Sequence, residues 1–164
     1  MFEIGDYVLN ATNGICKISE IVELDMSGDK QLKSYFLLRP VEEEYDRVYI
    51  PVDNADKRIR KVITQDEALA VLDRVPEIEA LAVNNEKERE TRYKEAVRSC
   101  EPDSVISLLK CLHIRNEQRA QAGKKSTAVD ERYGKMAEHN LNAELAFVLE
   151  KDRQEIKDII HDML

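Results

Sequence analysis

The sequence predicts an α+β chain, with a small β-barrel at the N-terminus followed by an all-α helical bundle. Three observations carry this expectation. The first 63 residues hold short apolar runs with partial two-residue alternation, separated by Asn-Gly, Ser-Gly-Asp and proline signals. From Thr64 onward the apolar residues recur instead at three- and four-residue spacing. Hydrophobic side chains make up 43% of the 164 residues, enough for a core, but aromatics are 5% and Trp is absent, so the core is aliphatic.

The strands follow in order. Residues 5–10 form a short strand containing Tyr7, Val8 and Leu9, and Asn13-Gly14 turns the chain because both residues tolerate positive φ. In residues 15–24, Ile15, Lys17, Ser19 and Ile21 lie on one face and Cys16, Ile18, Glu20 and Val22 on the other. Ser27-Gly28-Asp29 marks a second turn. Residues 34–39 are the most apolar strand, ended by Pro40, which cannot donate to a ladder. Glu42, Glu43 and Glu44 read as a solvated loop, residues 46–51 as the next strand, and residues 58–63 as the strand that closes the sheet. Four or five short strands in this length fit an SH3- or Tudor-like barrel.

The helices begin at a capping box. The Thr64 hydroxyl accepts from the third helical amide while Glu67 reaches back. Leu69, Val71 and Leu72 open the first helix, which stops before Pro76, and residues 76–83 follow as a weaker segment with Ile78, Leu81 and Val83. Asn84-Asn85 marks a hinge. Residues 86–99 form a charged helix with Tyr93, Ala96 and Val97 on its apolar side. The chain breaks at Glu101-Pro102-Asp103 and resumes a helix with Val105, Leu108, Leu109 and Leu112. Gly123 is a C-terminal stop and Ser126 or Thr127 caps the next helix, whose stripe is Tyr133, Met136, Ala137, Leu141, Leu145 and Val148. A last cap at residues 152–155 precedes Ile156, Ile159, Ile160 and Met163. The expected organisation is a barrel over residues 1–63, a connecting helix and hinge over 64–84, and a helical domain over 85–164.

Composition narrows the function classes. No apolar run approaches the ~18–20 residues of a membrane span, and the first ten residues carry two acids and no basic region of a secretory signal. Cys16, Cys100 and Cys111 are odd in number and lack a CxxC spacing, so they read as small buried side chains of a cytoplasmic protein. His113, His139 and His161 sit in no metal-ligand pattern, and no phosphate-binding glycine loop or nucleophile elbow is present. The sequence therefore points to a non-enzyme with no cofactor, no metal and no small-molecule substrate.

The net charge of −8 is unevenly spread. Residues 1–84 carry 10 basic and 17 acidic side chains, whereas residues 87–135 carry 12 basic and 8 acidic. Arg89, Arg92, Lys94 and Arg98 crowd one helix around Tyr93, and Arg115, Arg119, Lys124 and Lys125 crowd the end of the next. Helical lysines and arginines suit phosphate backbones, where neutralisation releases counterions. Glu88, Glu90 and Glu95 are interleaved with them and weaken that reading toward a solvated face.

Taken together, the residues resemble the CarD/CdnL family of bacterial transcription factors. Phe2, Gly5, Asp6 and Val8 carry the likeness, followed by Gly14, Tyr35, Leu37, Val48, Ile50, Pro51, Asn54 and Ala55. An Arg92-Tyr93-Lys94 helix and Glu144-Leu145-Ala146 extend it into the second half. The resemblance implies a Tudor-like domain that binds the RNA polymerase β subunit, and a helical domain that contacts promoter DNA weakly and without reading sequence, modulating the open complex. An exposed barrel edge can add a partner's strand by backbone pairing, and the candidate is residues 46–51, where Arg47 and Tyr49 share a face by period 2. The polymerase-binding candidates are Arg47, Tyr49, Ile50 and Pro51. The basic clusters supply the DNA-binding candidates Arg89, Arg92, Lys94, Arg98, Lys124 and Lys125, of which Arg92 and Lys94 match the family's pattern.

One departure bears on DNA. The family places a Trp wedge four residues before the tyrosine of the Arg-Tyr motif, and here that position is Arg89. A different class of function is a protein–protein interaction module that binds polymerase or another protein without touching DNA. The missing Trp and the negative net charge favour that alternative.

Overall fold

The computed structural model describes residues 1–164, which divide into two compact units, Met1–Val62 and Ile63–Leu164. The first is a five-stranded antiparallel sheet: β1 (Tyr7–Asn10), β2 (Gly14–Leu24), β3 (Lys33–Pro40), β4 (Val48–Pro51) and β5 (Ile59–Lys61). The spatial order is β4-β3-β2-β1-β5, so β4 and β5 are the edges. Where the sequence predicted a small barrel, the observed element is this antiparallel sheet.

Local chemistry sets the turns. At the β1–β2 turn the Asn10 carboxamide oxygen accepts from the Thr12 and Asn13 amides at 3.0 Å each, while Gly14 takes a φ of 69° that a Cβ would oppose. The core of this unit contains Val8, Cys16, Ile18, Phe36, Leu38, Ile50, Ala55 and Ile59, with Phe2 meeting Phe36 edge-to-face at 6.1 Å. Strict alternation along β2 fails for a definite reason. The β2–β3 register shifts between Ile18 and Glu20, so Ser19 is inserted and Ile21, not Glu20 or Val22, comes opposite Phe36. One extra residue interrupts the two-residue alternation at that point, and beyond it no β2 side chain is fully buried.

The second unit contains α1 (Gln65–Arg74), α2 (Arg89–Ser99), α3 (Pro102–Gln121), α4 (Ala128–Leu149) and α5 (Arg153–Met163). Thr64 and Glu67 form the complete capping box, with bonds of 3.1 and 2.8 Å. The stop of α3 is a Schellman arrangement: the Gly123 amide donates to the Ala120 carbonyl and the Lys124 amide to that of Arg119. Gly123 supplies the left-handed conformation, at φ 72°.

Residues 64–84, expected as a connector, pack inside this unit. Ala68, Val71 and Val75 are buried with Tyr93, Ile106, Leu108, Ala137, Leu145 and Ile156. That helical phase leaves Leu69 half exposed, although the sequence put it on the apolar side. Past α1, Lys110 Nζ donates to the carbonyls of Val75 and, at 2.6 Å, Ile78, satisfying backbone acceptors where the chain leaves its helix. No helix is long and apolar enough to cross a membrane.

Candidate functional site: a sheet edge and a charged helical surface

Two surfaces carry the predicted site residues, one in each unit. In the first unit the outer edge is β4, which pairs with β3 through Tyr35↔Pro51, Phe36↔Ile50, Leu37↔Tyr49 and Leu38↔Val48. The Val52 amide donates to the Ser34 carbonyl at 3.0 Å, which makes that pair a hydrogen-bonded one. Antiparallel ladders alternate, so Ile50 and Val48 also turn their backbone groups toward β3, while Tyr49 and Pro51 turn theirs to the outer edge. Pro51 has no N–H. The edge therefore offers the Tyr49 N–H, the Tyr49 carbonyl and the Pro51 carbonyl.

The four residues proposed from sequence divide accordingly. Arg47 is exposed and precedes the strand, and Tyr49 and Pro51 are partly buried on the face opposite the core. Ile50 is only 5% exposed; its side chain lies in the core and its backbone faces β3, so it has no group at the outer edge.

The other edge differs. In β5, Arg60 Nη1 donates to the Lys61 carbonyl at 3.0 Å, and Lys61 Nζ pairs with Asp6 at 3.4 Å. Basic side chains and a capped carbonyl are a common way to blunt an edge. Strand β4 is four residues long and ends in Pro51, so the Tyr49 N–H is the donor it presents outward.

In the second unit the predicted basic cluster on α2 separates into parts. Tyr93 is fully buried, as the helical stripe required. Arg89 lies one turn before it and follows it inward. Its side chain is 14% exposed, held by Glu86 at 2.8 and 2.6 Å, and its Nη1 donates to the Tyr93 hydroxyl at 2.9 Å. That hydroxyl donates to Asp130 Oδ1 at 3.0 Å, and Arg115 Nε donates to Asp130 Oδ2 at 2.7 Å. Arg115 also approaches Glu86 at 3.8 Å, closing a ring of five side chains. The sequence grouped Arg89 with the outward bases; the signal that separates it is its spacing of four from the buried Tyr93.

The electrostatics of this ring are self-contained, with two guanidinium groups against two carboxylates. The bond from Arg89 holds the Glu86 carboxyl below its ordinary range. Burial pushes the Tyr93 hydroxyl up to about 12, with the neighbouring Asp130 charge acting the same way. Arg92, Lys94 and Arg98 remain exposed, as do Lys124 and Lys125 beyond α3. At about 100° per residue, Lys94 and Arg98 share a face while Arg92 stands roughly 160° from Lys94. Arg92 lines a groove of about 440 Å³ with Ile78, Leu81 and Ala96, where Glu95 and Asp103 also sit.

No group of three or more His, Cys, Asp or Glu side chains is arranged to hold a metal ion. Residues 2–63 match the model of the CarD-like/TRCF RID domain, whose members interact with the RNA polymerase β subunit; it is not a known enzyme family. The match spans the first unit and ends where the helical unit begins. A comparison with curated proteins finds no match.

Proposed function

From a chain whose first unit belongs to the CarD-like/TRCF RID domain family, consistent with a CarD/CdnL-like protein, we propose a cytoplasmic bacterial transcription regulator. Its first unit, a Tudor-like domain, binds the RNA polymerase β subunit, and its helical unit modulates promoter open-complex stability. The observation that carries the reading is the family match over residues 2–63, in a unit where β4 is an edge strand. The edge accepts a strand of the polymerase through the Tyr49 and Pro51 backbone groups, with Arg47 beside them. Promoter DNA is contacted weakly and without sequence reading, through Lys94, Arg98, Arg92, Lys124 and Lys125. Arg89 is assigned to the buried ring instead.

A second reading has an observation in its favour. Arg89 and Arg115 are neutralised by Glu86 and Asp130, which leaves fewer free bases in the helical unit. That favours an interaction module in which the helical unit binds protein and not DNA.

The test is open-complex lifetime on a promoter fragment with cognate polymerase, with and without this protein, together with polymerase pulldown. Wild type is expected to bind and to change the lifetime. Arg47→Glu is expected to abolish the pulldown without shifting the melting temperature. Binding without any effect on lifetime supports the second reading, and absence of polymerase binding overturns both.

A further inference from the structure

The β3–β4 connection carries the most exposed aromatic residue of the chain. Tyr45 is 95% exposed. It is held there by local structure: the Asp46 amide donates to the Glu43 carbonyl at 2.9 Å, closing a turn with Glu44 and Tyr45 at its corners. The other end of the connection is fixed by the Val41 amide, which donates to the Ile15 carbonyl at 2.9 Å. The ring therefore stands in solvent on an anchored turn, two residues before Arg47 and four before Tyr49 of the open edge.

Such exposure has a cost, because the ring forgoes the burial open to it elsewhere. It suits a binding anchor. Tyrosine has two side-chain torsions, so little rotamer freedom is lost when it docks, and it brings a large apolar face with one hydroxyl. Aromatic residues of this kind dominate interface energies when they fill a pocket on the partner. The surroundings specify the pocket's rim. Glu42, Glu43, Glu44 and Asp46 flank the ring and all are exposed. A partner that accepts this turn must present positive charge around an apolar cleft.

We infer that Tyr45 is the aromatic anchor of the β4 edge, seated in an apolar cleft of the polymerase β subunit whose rim is lined by lysines and arginines. Glu42, Glu43 and Glu44 steer the approach to that rim. This rests on the polymerase-binding reading and adds a specificity element to it.

The experiment measures association and dissociation of the full chain on immobilised core RNA polymerase at two salt concentrations. Tyr45→Ala is expected to lose at least about tenfold in affinity, mainly through faster dissociation, with an unchanged melting temperature. Tyr45→Phe is expected to keep most of the affinity. The triple variant Glu42→Gln, Glu43→Gln, Glu44→Gln is expected to slow association several-fold and to flatten its salt dependence. Tyr45→Ala binding within twofold of wild type, while Arg47→Glu still abolishes binding, overturns the anchor and leaves the polymerase reading standing. Faster association of the triple variant overturns the basic rim. A wild-type chain that does not bind polymerase overturns the inference together with the reading beneath it.

Discussion

Removing one oxygen atom tests the buried ring. In Tyr93→Phe the aromatic ring stays, and with it the edge-to-face contact to Tyr133 at 6.0 Å, so no cavity opens. What is lost is the hydroxyl that accepts from Arg89 and donates to Asp130. Asp130 is 2% exposed, so its Oδ1 loses that donor with little access to water. Stranding a buried acceptor costs about 1–3 kcal/mol, with charged groups toward the upper end. Arg115 still holds Oδ2 at 2.7 Å, which argues for the middle, about 2 kcal/mol. For a domain near 100 residues that corresponds to a drop of about 8–15 °C in melting temperature. Tyr93→Ala adds the lost packing and falls in the range of about 3–5 kcal/mol for aromatic truncation. Circular dichroism at 222 nm is the assay, since all five α-helices lie in the second unit. A double-mutant cycle with Asp130→Asn assigns the cause: Asn is expected to cost less on the Phe background than on wild type. A loss below about 0.5 kcal/mol for Tyr93→Phe, or additive single effects, would refute the hydroxyl's bridging role.

Two further outcomes follow from the same structure. Burial pushes the Cys16 thiol up to about 11 and the Tyr93 hydroxyl up to about 12, both above their unfolded values. The unfolded chain then releases these protons first, so stability is fully present below pH ~9 for the first unit and ~10 for the second, and is lost as pH rises through about 11 and 12. Cys16→Ala is expected to remove the first of these losses in pH-dependent denaturation, and an unchanged alkaline limb would refute it. On DNA, Lys94→Ala with Arg98→Ala is expected to reduce the salt slope of promoter association by about 2, the contribution of two phosphate contacts. Arg89→Ala is expected to leave that slope unchanged while lowering the helical melting temperature, and a reduced slope for it would return Arg89 to the DNA surface.

Much of the fold was legible because its causes are local. The Thr64–Glu67 box, the Gly123 stop and the Asn13-Gly14 turn each rest on chemistry within a few residues. The break in β2 after Ile18 was not legible, since a bulge at Ser19 answers to the partner strand and leaves no mark on the strand's own pattern. Residues 64–84 read as a connector because three buried small and branched residues make a thin stripe, recognisable as core only beside the helices that cover it. At the candidate site, Arg47, expected on the strand, lies just before it, and the inward role of Ile50 depends on the β3 register. Tyr45 went unremarked because it sits in an acidic loop, where sequence predicts solvation of the loop and says nothing of the ring within it.

The ring of Glu86, Arg89, Tyr93, Asp130 and Arg115, buried at Tyr93 and Asp130 and exposed at Glu86, also bears on what the helical unit does. Position 89 is where the resembled family carries its aromatic wedge, and an arginine there could in principle still reach a minor groove. The geometry removes that option at rest. To reach DNA, Arg89 must give up Glu86 and the Tyr93 hydroxyl, and Asp130 then loses part of its support. The exposed Glu86 is a weak competitor for a phosphate by itself; what holds Arg89 inward is Glu86 together with the bond to the buried Tyr93 hydroxyl. The free bases do not replace it, because Lys94 and Arg98 form a pair on one face while Arg92 points away, next to Glu95 and Asp103. If such a surface contacts DNA, something else must bring the two together. On the proposed function, the determinant of promoter action would then lie on the first unit: polymerase engagement would set the local DNA concentration, and the exposed bases of the helical unit would add a contact too weak to form alone.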